Sequence, residues 1–371
     1  DPLDKIRNIG VIAHIDAGKT STSEGLLFFS GRTHRYGNID EGTTVLDYLE
    51  EERMRGITIV AAAATLPWND HLIHLIDTPG HIDFTAEVER SLRVIDGAIV
   101  VFSGVEGVEA QSEKVWRQAT HYHVPRIAFV NKMDRIGADF DRVLSQIQEK
   151  FGRCAVPIQC PMGAESNFEG ILDLVTEEEI RFSGDRNEVV ERRPVSETWQ
   201  EEVRRWREHM IERLADHDDE LAMLYLDGAA IPEARLRTAL RQLTLANKLV
   251  PVLCGSAKKA MGLQPLLDAT LAYLPSPLDI REIPAFQLKD HAPTVVHPDP
   301  SAPFAGLVFK VIAEKTADLL YLRTYSGTLK SGATLLNPRT GEKIRVRQLF
   351  KVYAKSTEAV EEVGPGDIVG L

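Results

Sequence analysis

From Lys5 to about Ala164, short apolar runs alternate with longer amphipathic segments. The apolar runs predict strands at Asn8–Ala13, His71–Asp77, Gly97–Ser103 and Arg126–Asn131. The amphipathic segments predict helices near Ser21–Phe29, Phe84–Val94, Gln111–His121 and Asp139–Phe151. This alternation is typical of a parallel sheet covered by helices, in which ligands bind beyond the carboxyl ends of the strands.

The pattern changes twice after residue 164. Amphipathic runs near Val195–Leu214, Asp219–Tyr225 and Glu233–Ala246 predict three further helices. The polar, proline-rich stretch His291–Pro303 reads as a linker, and from Phe304 the apolar period becomes two, with glycine turns between short runs. That last pattern predicts a small β-barrel.

Charge is concentrated in one part of the chain. The formal net charge is −12, but Glu165–Ala234 holds 20 acidic and 8 basic residues, so the remainder is neutral. Three cysteines are too few for a disulfide framework and predict buried free thiols in a reducing environment. No signal peptide or apolar run near the ~20 residues of a membrane helix is present in the sequence. We therefore expect a cytoplasmic protein with no membrane partner.

The segment AHIDAGKTS, Ala13–Ser21, lies between the first predicted strand and the first predicted helix. A Gly-Lys-Thr loop in this position turns backbone N–H groups toward bound phosphate. Lys19 would reach the β- and γ-phosphates, and the Thr20 hydroxyl would coordinate Mg²⁺. Ala13 stands where the usual pattern has glycine, so the motif needs support from elsewhere. The predicted phosphate-binding residues are His14, Ile15, Asp16, Ala17, Gly18, Lys19, Thr20 and Ser21.

Two further segments complete a phosphate site. Arg32–Ile59 has little periodicity and predicts a long loop, in which Thr58 could offer its hydroxyl to Mg²⁺ and its N–H to a terminal phosphate. The motif DTPGH follows the second predicted strand. Asp77 would hold Mg²⁺ through water, the Gly80 N–H would contact the γ-phosphate, and His81 would orient an attacking water.

The motif NKMD, Asn131–Asp134, closes the fourth predicted strand and indicates which base is bound. A carboxylate can accept hydrogen bonds from guanine N1–H and from the exocyclic amine, a pair that adenine lacks, so Asp134 would select guanine. Asn131 would tie the loops together, and the aliphatic stem of Lys132 would lie along the base. The remaining predicted guanine-site residues follow the apolar run Leu249–Leu253 and are Ser256, Ala257 and Lys258.

The motifs AHIDAGKT, RGITI, DTPGH, NKMD and GSAKK, in this order, resemble those of the translational GTPases. In that family alanine is accepted at the first loop position, which accounts for Ala13. The resemblance implies four residues for GTP hydrolysis: Lys19, Thr58, Gly80 and the hydrolytic His81. The implied Mg²⁺ ligands are Thr20, Thr58 and, through water, Asp77. An apolar gate that screens the histidine from the water is implied at Ile15 and Ile57.

Asp134 and Ser256 are 122 residues apart, where a minimal GTPase needs only one helix and one strand. The intervening segment, DLVTEEEI and YLPSPLDI are similar to elongation factor G within that family. The resemblance implies an α/β P-loop GTPase domain with a mostly parallel sheet at residues 1–280, carrying an inserted α+β subdomain at about 165–248. A linker at 281–303 and a truncated all-β barrel at 304–371 would follow.

The same resemblance implies a translation factor that binds GTP and GDP with Mg²⁺ and is a ribosome-stimulated GTPase. The implied role is translocation of tRNA and mRNA; the alternative is a paralogue that acts in ribosome recycling or without translocase activity. A monomer is expected, with large-subunit ribosomal RNA near His81, stalk proteins on the insertion and the small subunit on the barrel. Barrel residues that would contact phosphates, or else only add solubility, are Lys310, Arg323, Lys330, Arg345, Arg347 and Lys351.

Two other classes of protein compete with this interpretation. A binding module that uses nucleotide only for structure would not need Thr20, Thr58, Asp77 and His81 together. An ATP-dependent kinase or ATPase is opposed by Asp134, which suits guanine.

Overall fold

A computed structural model of the 371-residue chain describes residues 2–31, 33, 37, 44, 62–78, 85–280, 282–313, 318–353 and 356–371. The sequence predictions for Ile57, Thr58, Gly80 and His81 lie outside these residues, as does nearly all of the predicted loop Arg32–Ile59.

The first part of the chain alternates strands with helices. Its strands are β1 (Ile6–Ala13), β2 (Ala62–Trp68), β3 (His71–Asp77), β4 (Gly97–Ser103), β5 (Arg126–Asn131) and β6 (Ala155–Pro157). Its helices are α1 (Lys19–Phe29), α2 (Thr85–Leu92), α3 (Ala110–His121) and α4 (Phe140–Phe151). All four predicted strands and all four predicted helices are confirmed, with ends that shift by one or two residues.

A separate antiparallel sheet and three helices follow. The strands are β7 (Gln159–Met162), β8 (Gly170–Asp173), β9 (Glu178–Ser183) and β10 (Val189–Pro194). The helices are α5 (Glu197–Ala215), α6 (Asp219–Leu226) and α7 (Glu233–Leu245). The sheet order is β10-β9-β8-β7. The three helices agree with the predicted ones, and the sheet begins at Gln159, a few residues before the predicted start of the insertion.

The chain then returns to the first sheet through β11 (Val250–Cys254) and α8 (Leu263–Tyr273). The order β3-β1-β4-β5-β11-β6 is parallel throughout, and β2 is antiparallel to β3. β1, β4, β5 and β11 are buried at every residue, as expected for parallel strands covered on both faces. The carboxyl ends of β3, β1, β4, β5 and β11 therefore lie side by side at one edge.

β2 was not among the predicted strands. Its sequence, AAATLPW, is rich in alanine and contains Pro67, both of which weaken a strand signal. The turn to β3 holds only Asn69 and Asp70, whose φ values of 43° and 57° suit a two-residue hairpin. The hairpin therefore forms because the pairing with β3 and the turn chemistry outweigh the weak propensity of β2.

The predicted linker contains a two-stranded ribbon, β12 (Ile283–Phe286) paired with β13 (Pro293–Val296). A β-rich domain follows, as predicted. Its strands are β14 (Ala305–Ala313), β15 (Asp318–Ser326), β16 (Leu329–Lys330), β17 (Thr334–Leu336), β18 (Lys343–Arg345), β19 (Leu349–Tyr353), β20 (Ser356–Val360), β21 (Glu362–Val363) and β22 (Ile368–Gly370). The sheet β14-β15-β22-β19 continues into the first domain, because β19 pairs with β2.

A buried ion pair joins the two domains. Arg323 Nη2 on β15 lies 2.7 Å from Asp96 Oδ1, and both side chains are about 3% exposed. Arg323 also donates to the carbonyl of Val94, and Asn8 Nδ2 donates to Asp96 Oδ2 at 3.0 Å. The arginine therefore satisfies a carboxylate of the first domain from within the second.

The burial of Arg323 corrects part of the predicted phosphate-contacting surface. Lys310 is also buried, with its ammonium 5.5 Å from the centroid of the Tyr321 ring. These two cations contact the interior of the protein because their strands turn them inward, which alternation alone did not reveal. The predicted cations that are exposed are Lys330, Arg345 and Arg347.

Among the described residues, no helix is long and apolar enough to cross a bilayer. The three cysteines are free, as predicted; Cys160 and Cys254 are buried and Cys154 is half-buried.

Glu179 fastens the antiparallel sheet to α5. Its carboxylate accepts hydrogen bonds from the Ser196 N–H at 2.9 Å and from Arg181 Nε at 3.1 Å, and also from the Ser196 hydroxyl. Burial acts to raise the pKa of Glu179, but the hydrogen bonds from Ser196 and Arg181 outweigh it, so the pKa lies below 4.5. A carboxylate with a lowered pKa stabilises the fold above its unfolded pKa.

We expect Glu179→Gln to lower the free energy of unfolding at neutral pH by about 1–3 kcal/mol, because a buried charged acceptor is lost. The difference from the unmodified protein should shrink as the pH falls below 4.5, since the carboxylate then becomes protonated in the unfolded chain first and in the folded chain last. Urea unfolding of both proteins at several pH values measures this difference in the free energy of unfolding. Glu178→Gln, one residue away and part-exposed, is the matched control and should show a smaller effect.

Candidate nucleotide-binding site

The loop after β1 has the backbone of an anion-binding turn. Asp16 and Gly18 have φ values of 64° and 92°, and α1 begins immediately afterwards at Lys19. The Ala17 N–H donates to the His14 carbonyl, which closes the loop. The N-terminus of a helix attracts anions through its N–H groups and its dipole. The predicted phosphate-binding loop is therefore located where the helix can help to hold phosphate.

Lys19 and Asp77 meet at the ends of β1 and β3. Lys19 Nζ lies 2.7 Å from Asp77 Oδ2, and the Asp77 side chain is fully buried. Ser23, one turn along α1, donates its hydroxyl to Asp77 Oδ1 at 3.1 Å. Thr20, on the same turn as Lys19, is also buried. Hydroxyl and carboxylate oxygens are the donors that Mg²⁺ prefers, so the Thr20 and Asp77 side chains fit the predicted metal.

Asn131 connects three loops. Its Nδ2 donates to the Ala17 carbonyl at 2.9 Å, and its Oδ1 accepts from the Ala257 N–H at 2.8 Å. The side chain therefore links the loop after β1 to the loop after β11. Asp134 Oδ1 accepts a hydrogen bond from Ser256 Oγ at 2.6 Å, and Ser256 Oγ accepts from the Lys259 N–H.

The structure thus brings most of the predicted guanine-site residues together at the ends of β5 and β11. Lys132 has a φ of 66°, an uncommon value for a residue with a side chain, and its side chain is 20% exposed. Lys258 is exposed. A positive φ such as that of Lys132 is a form of local backbone strain, and such strain is concentrated at functional sites.

The loop and helix after β4 also contact the site, and sequence reasoning missed them. Gln111 Oε1 accepts the Ile15 N–H at 3.0 Å, and Ser112 Oγ lies 2.9 Å from His14 Nδ1. Burial lowers the pKa of His14, against the opposite effect of Glu109, so the imidazole is neutral at pH 7. The signal that could have found these residues is their position after β4, which pairs with β1 and β5.

We expect Gln111→Leu to speed the release of bound guanine nucleotide about fivefold, because the Ile15 N–H loses a hydrogen bond worth about 1 kcal/mol. Stopped-flow dissociation of a fluorescent GDP analogue measures the rate. Gln118→Leu, seven residues further along α3, is the matched control. Equal rates for both variants would show that the Gln111 contact does not support the loop.

Three features define a P-loop nucleotide-binding protein: the parallel sheet, the Gly-Lys-Thr loop between β1 and α1, and the pair of hydrogen bonds from Asn131 to Ala17 and Ala257, here called the Asn131 tie. The chain belongs to the family described as the elongation factor Tu GTP binding domain, whose sequence profile matches residues 4–276. Residues 303–371 match the profile of elongation factor G domain 2.

Similar proteins agree with this membership. The chain is 47% identical over 373 residues to elongation factor G of Thermotoga maritima, and 47% identical over 370 residues to that of Fervidobacterium nodosum. Each comparison covers the whole of this chain but only 54% and 53% of the relative, respectively, so the chain spans about half their length. A crystal structure of a Thermus thermophilus protein superposes with a TM-score of 0.85 at 28% identity, covering 99% of this chain and 52% of that one.

Proposed function

We propose that this chain binds GTP and GDP with Mg²⁺, hydrolyses GTP, and belongs to a translation factor of the elongation factor G type. The observation that carries the proposal is the Asn131 tie, which holds the loop after β1 against the loop after β11. The order of the parallel strands sets the Lys19–Asp77 pair and the Asp134 carboxylate at the same edge of the sheet. A phosphate site and a guanine site would thereby be combined.

We assign separate roles in GTP binding and hydrolysis to the chain's own residues. Lys19 and the N–H groups that begin α1 bind the phosphates and stabilise the charge that develops during transfer. Thr20, Thr58 and, through water, Asp77 would hold Mg²⁺, which would neutralise negative charge on the phosphates. The Gly80 N–H would contact the γ-phosphate and His81 would orient the attacking water, behind a gate formed by Ile15 and Ile57.

The ribosome is the partner we propose, in the cytoplasm and with the chain as a monomer. The support is the 47% identity to elongation factor G over the entire chain. Ribosomal RNA of the large subunit would contact His81, stalk proteins the segment 165–248, and the small subunit the β-rich domain. Translocation of tRNA and mRNA is the role we favour; ribosome recycling or a non-translocating role is the alternative.

Binding of fluorescent GDP and ADP analogues to the 371-residue chain tests the nucleotide assignment. Tight binding of the GDP analogue with at least 100-fold weaker binding of the ADP analogue is expected, because the site would hydrogen-bond groups found only on guanine. Equal affinity for the two analogues would overturn the assignment of Asp134 and favour an ATPase.

His81→Ala tests the proposed hydrolytic residue. We expect the variant to keep its GTP affinity and to lose ribosome-stimulated hydrolysis, since the histidine would act only on the attacking water. Phosphate release with and without ribosomes, beside a binding titration with a non-hydrolysable GTP analogue, gives both quantities. Undiminished stimulated turnover would exclude this role for His81.

A further inference from the structure

The Lys132 side chain is held by a residue that lies outside the NKMD motif. Its ammonium lies 3.4 Å from Glu106 Oε2, on the loop after β4. The two residues are 26 positions apart and follow neighbouring strands, since β4 pairs with β5 up to Ser103 and Asn131. A long, flexible side chain is thereby fixed at its far end.

Glu106 is itself fixed by Ser103, the last residue of β4. The Ser103 hydroxyl donates to Glu106 Oε2 and accepts the N–H groups of Val105 and Glu106 at 3.1 and 3.2 Å. Ser103 is fully buried. Burial acts to raise the pKa of Glu106, but the hydrogen bond from Ser103 and the charge of Lys132 outweigh it and lower the pKa. Glu106 is therefore a charged carboxylate at neutral pH.

The backbone around Glu106 is anchored from α4. Arg142 Nη2 donates to the carbonyls of Gly104 and Val105, at 3.2 and 2.7 Å. Gln146 Oε1 accepts the Val108 N–H at 3.1 Å. Side chains from a helix thus hold the loop on both sides of Glu106, so the carboxylate has a fixed position rather than a mobile one.

We propose that Glu106 is a positioning residue for the guanine site, which holds the Lys132 ammonium so that the lysine stem is already in place for the base. The inference rests on the proposed function, because it takes the stem of Lys132 as a wall of the base pocket. Its energetic basis is preorganisation: a side chain that is ordered before binding loses less entropy on binding. The loss of Glu106 would then weaken nucleotide binding without changing which base is chosen.

A double-mutant cycle tests this inference on the 371-residue chain. The variants are Glu106→Gln, which removes the charge at nearly constant shape, and Lys132→Met, which keeps an apolar stem without the ammonium, together with their combination. The measured quantities are the dissociation rate of a fluorescent GDP analogue and the ratio of Kd for IDP and GDP. Glu113→Gln is the matched control, since Glu113 is also part-buried and ion-paired, to Lys150 at 3.1 Å.

We expect Glu106→Gln to speed GDP release about three- to fivefold, the size of effect that a part-exposed ion pair supports. The same change in the Lys132→Met background should have no effect, and the ratio of IDP to GDP affinity should stay constant, because Asp134 recognises the exocyclic amine. Glu113→Gln should leave the release rate unchanged.

Three results would overturn the inference: no change in Glu106→Gln, an equal change in the Lys132→Met background, or an altered ratio of IDP to GDP affinity. The last two would mean that Glu106 supports the fold of the pocket generally. If the unmodified chain bound GDP no better than ADP, the proposed function itself would fail, and a titration of the unmodified chain with the ADP analogue separates this outcome from the others.

Discussion

Asp134→Asn is expected to lower the affinity for GDP by roughly 10²- to 10⁴-fold and to raise the affinity for XDP. Two hydrogen bonds to a charged acceptor are lost, each worth about 1.5–3 kcal/mol. An amide in the same place can donate to the additional carbonyl of xanthine, which guanine lacks. Competition of GDP and XDP against a fluorescent nucleotide measures both changes.

The contacts of Asp134 predict that the Asp134→Asn variant changes nucleotide binding rather than stability. The Asp134 side chain accepts a hydrogen bond from Ser256 Oγ, which an asparagine oxygen can also accept. Stability should therefore change little. Asp141→Asn, whose side chain is 57% exposed on α4, is the charge-matched control. An unchanged preference for GDP over XDP in Asp134→Asn would contradict the assignment of the base.

Gly18→Ala is expected to abolish nucleotide binding, because two separate penalties fall on the loop after β1. A Cβ at Gly18 would lie 2.1 Å from Asn131 Nδ2, so the loop or the tie must move. The φ of 92° adds a cost of about 1 kcal/mol or more for any residue with a side chain. Isothermal titration with GDP, beside a thermal melt, measures the loss.

Gly31→Ala separates these two penalties. Gly31, just beyond the end of α1, also has a positive φ, of 76°, but its Cβ would have nothing within 4 Å. We expect this control to lose about 1 kcal/mol of stability and to keep its nucleotide affinity. Similar nucleotide affinities for the two variants would show that the contact between Gly18 and Asn131 does not matter for binding.

The sequence locates those parts of the candidate site whose residues are contiguous in one short motif. The loop after β1 and the NKMD motif each carry their chemistry in one short segment, and the strand before each segment is a clear apolar run. The contacts of Gln111 and Glu106 could not be predicted in this way. Gln111 contacts Ile15, 96 residues earlier, through the pairing of β4 with β1.

Charge was the least predictable property of the β-rich domain. Arg323 follows the apolar run Leu319–Leu322 in its strand, and it is buried against Asp96. Only the position of β15 relative to the first domain explains this, and that position depends on contacts between residues more than 200 apart. Alternation along a strand shows which residues share a face, but not whether that face meets solvent or another domain.

The pairing of β19 with β2 has a practical consequence for work on the first domain alone. A protein cut after residue 280 would have β2 as an open edge, a template for aggregation. It would also contain the Asp96 carboxylate without the arginine that neutralises it. Poor solubility of such a protein would therefore report on a missing neighbour rather than on a faulty nucleotide site.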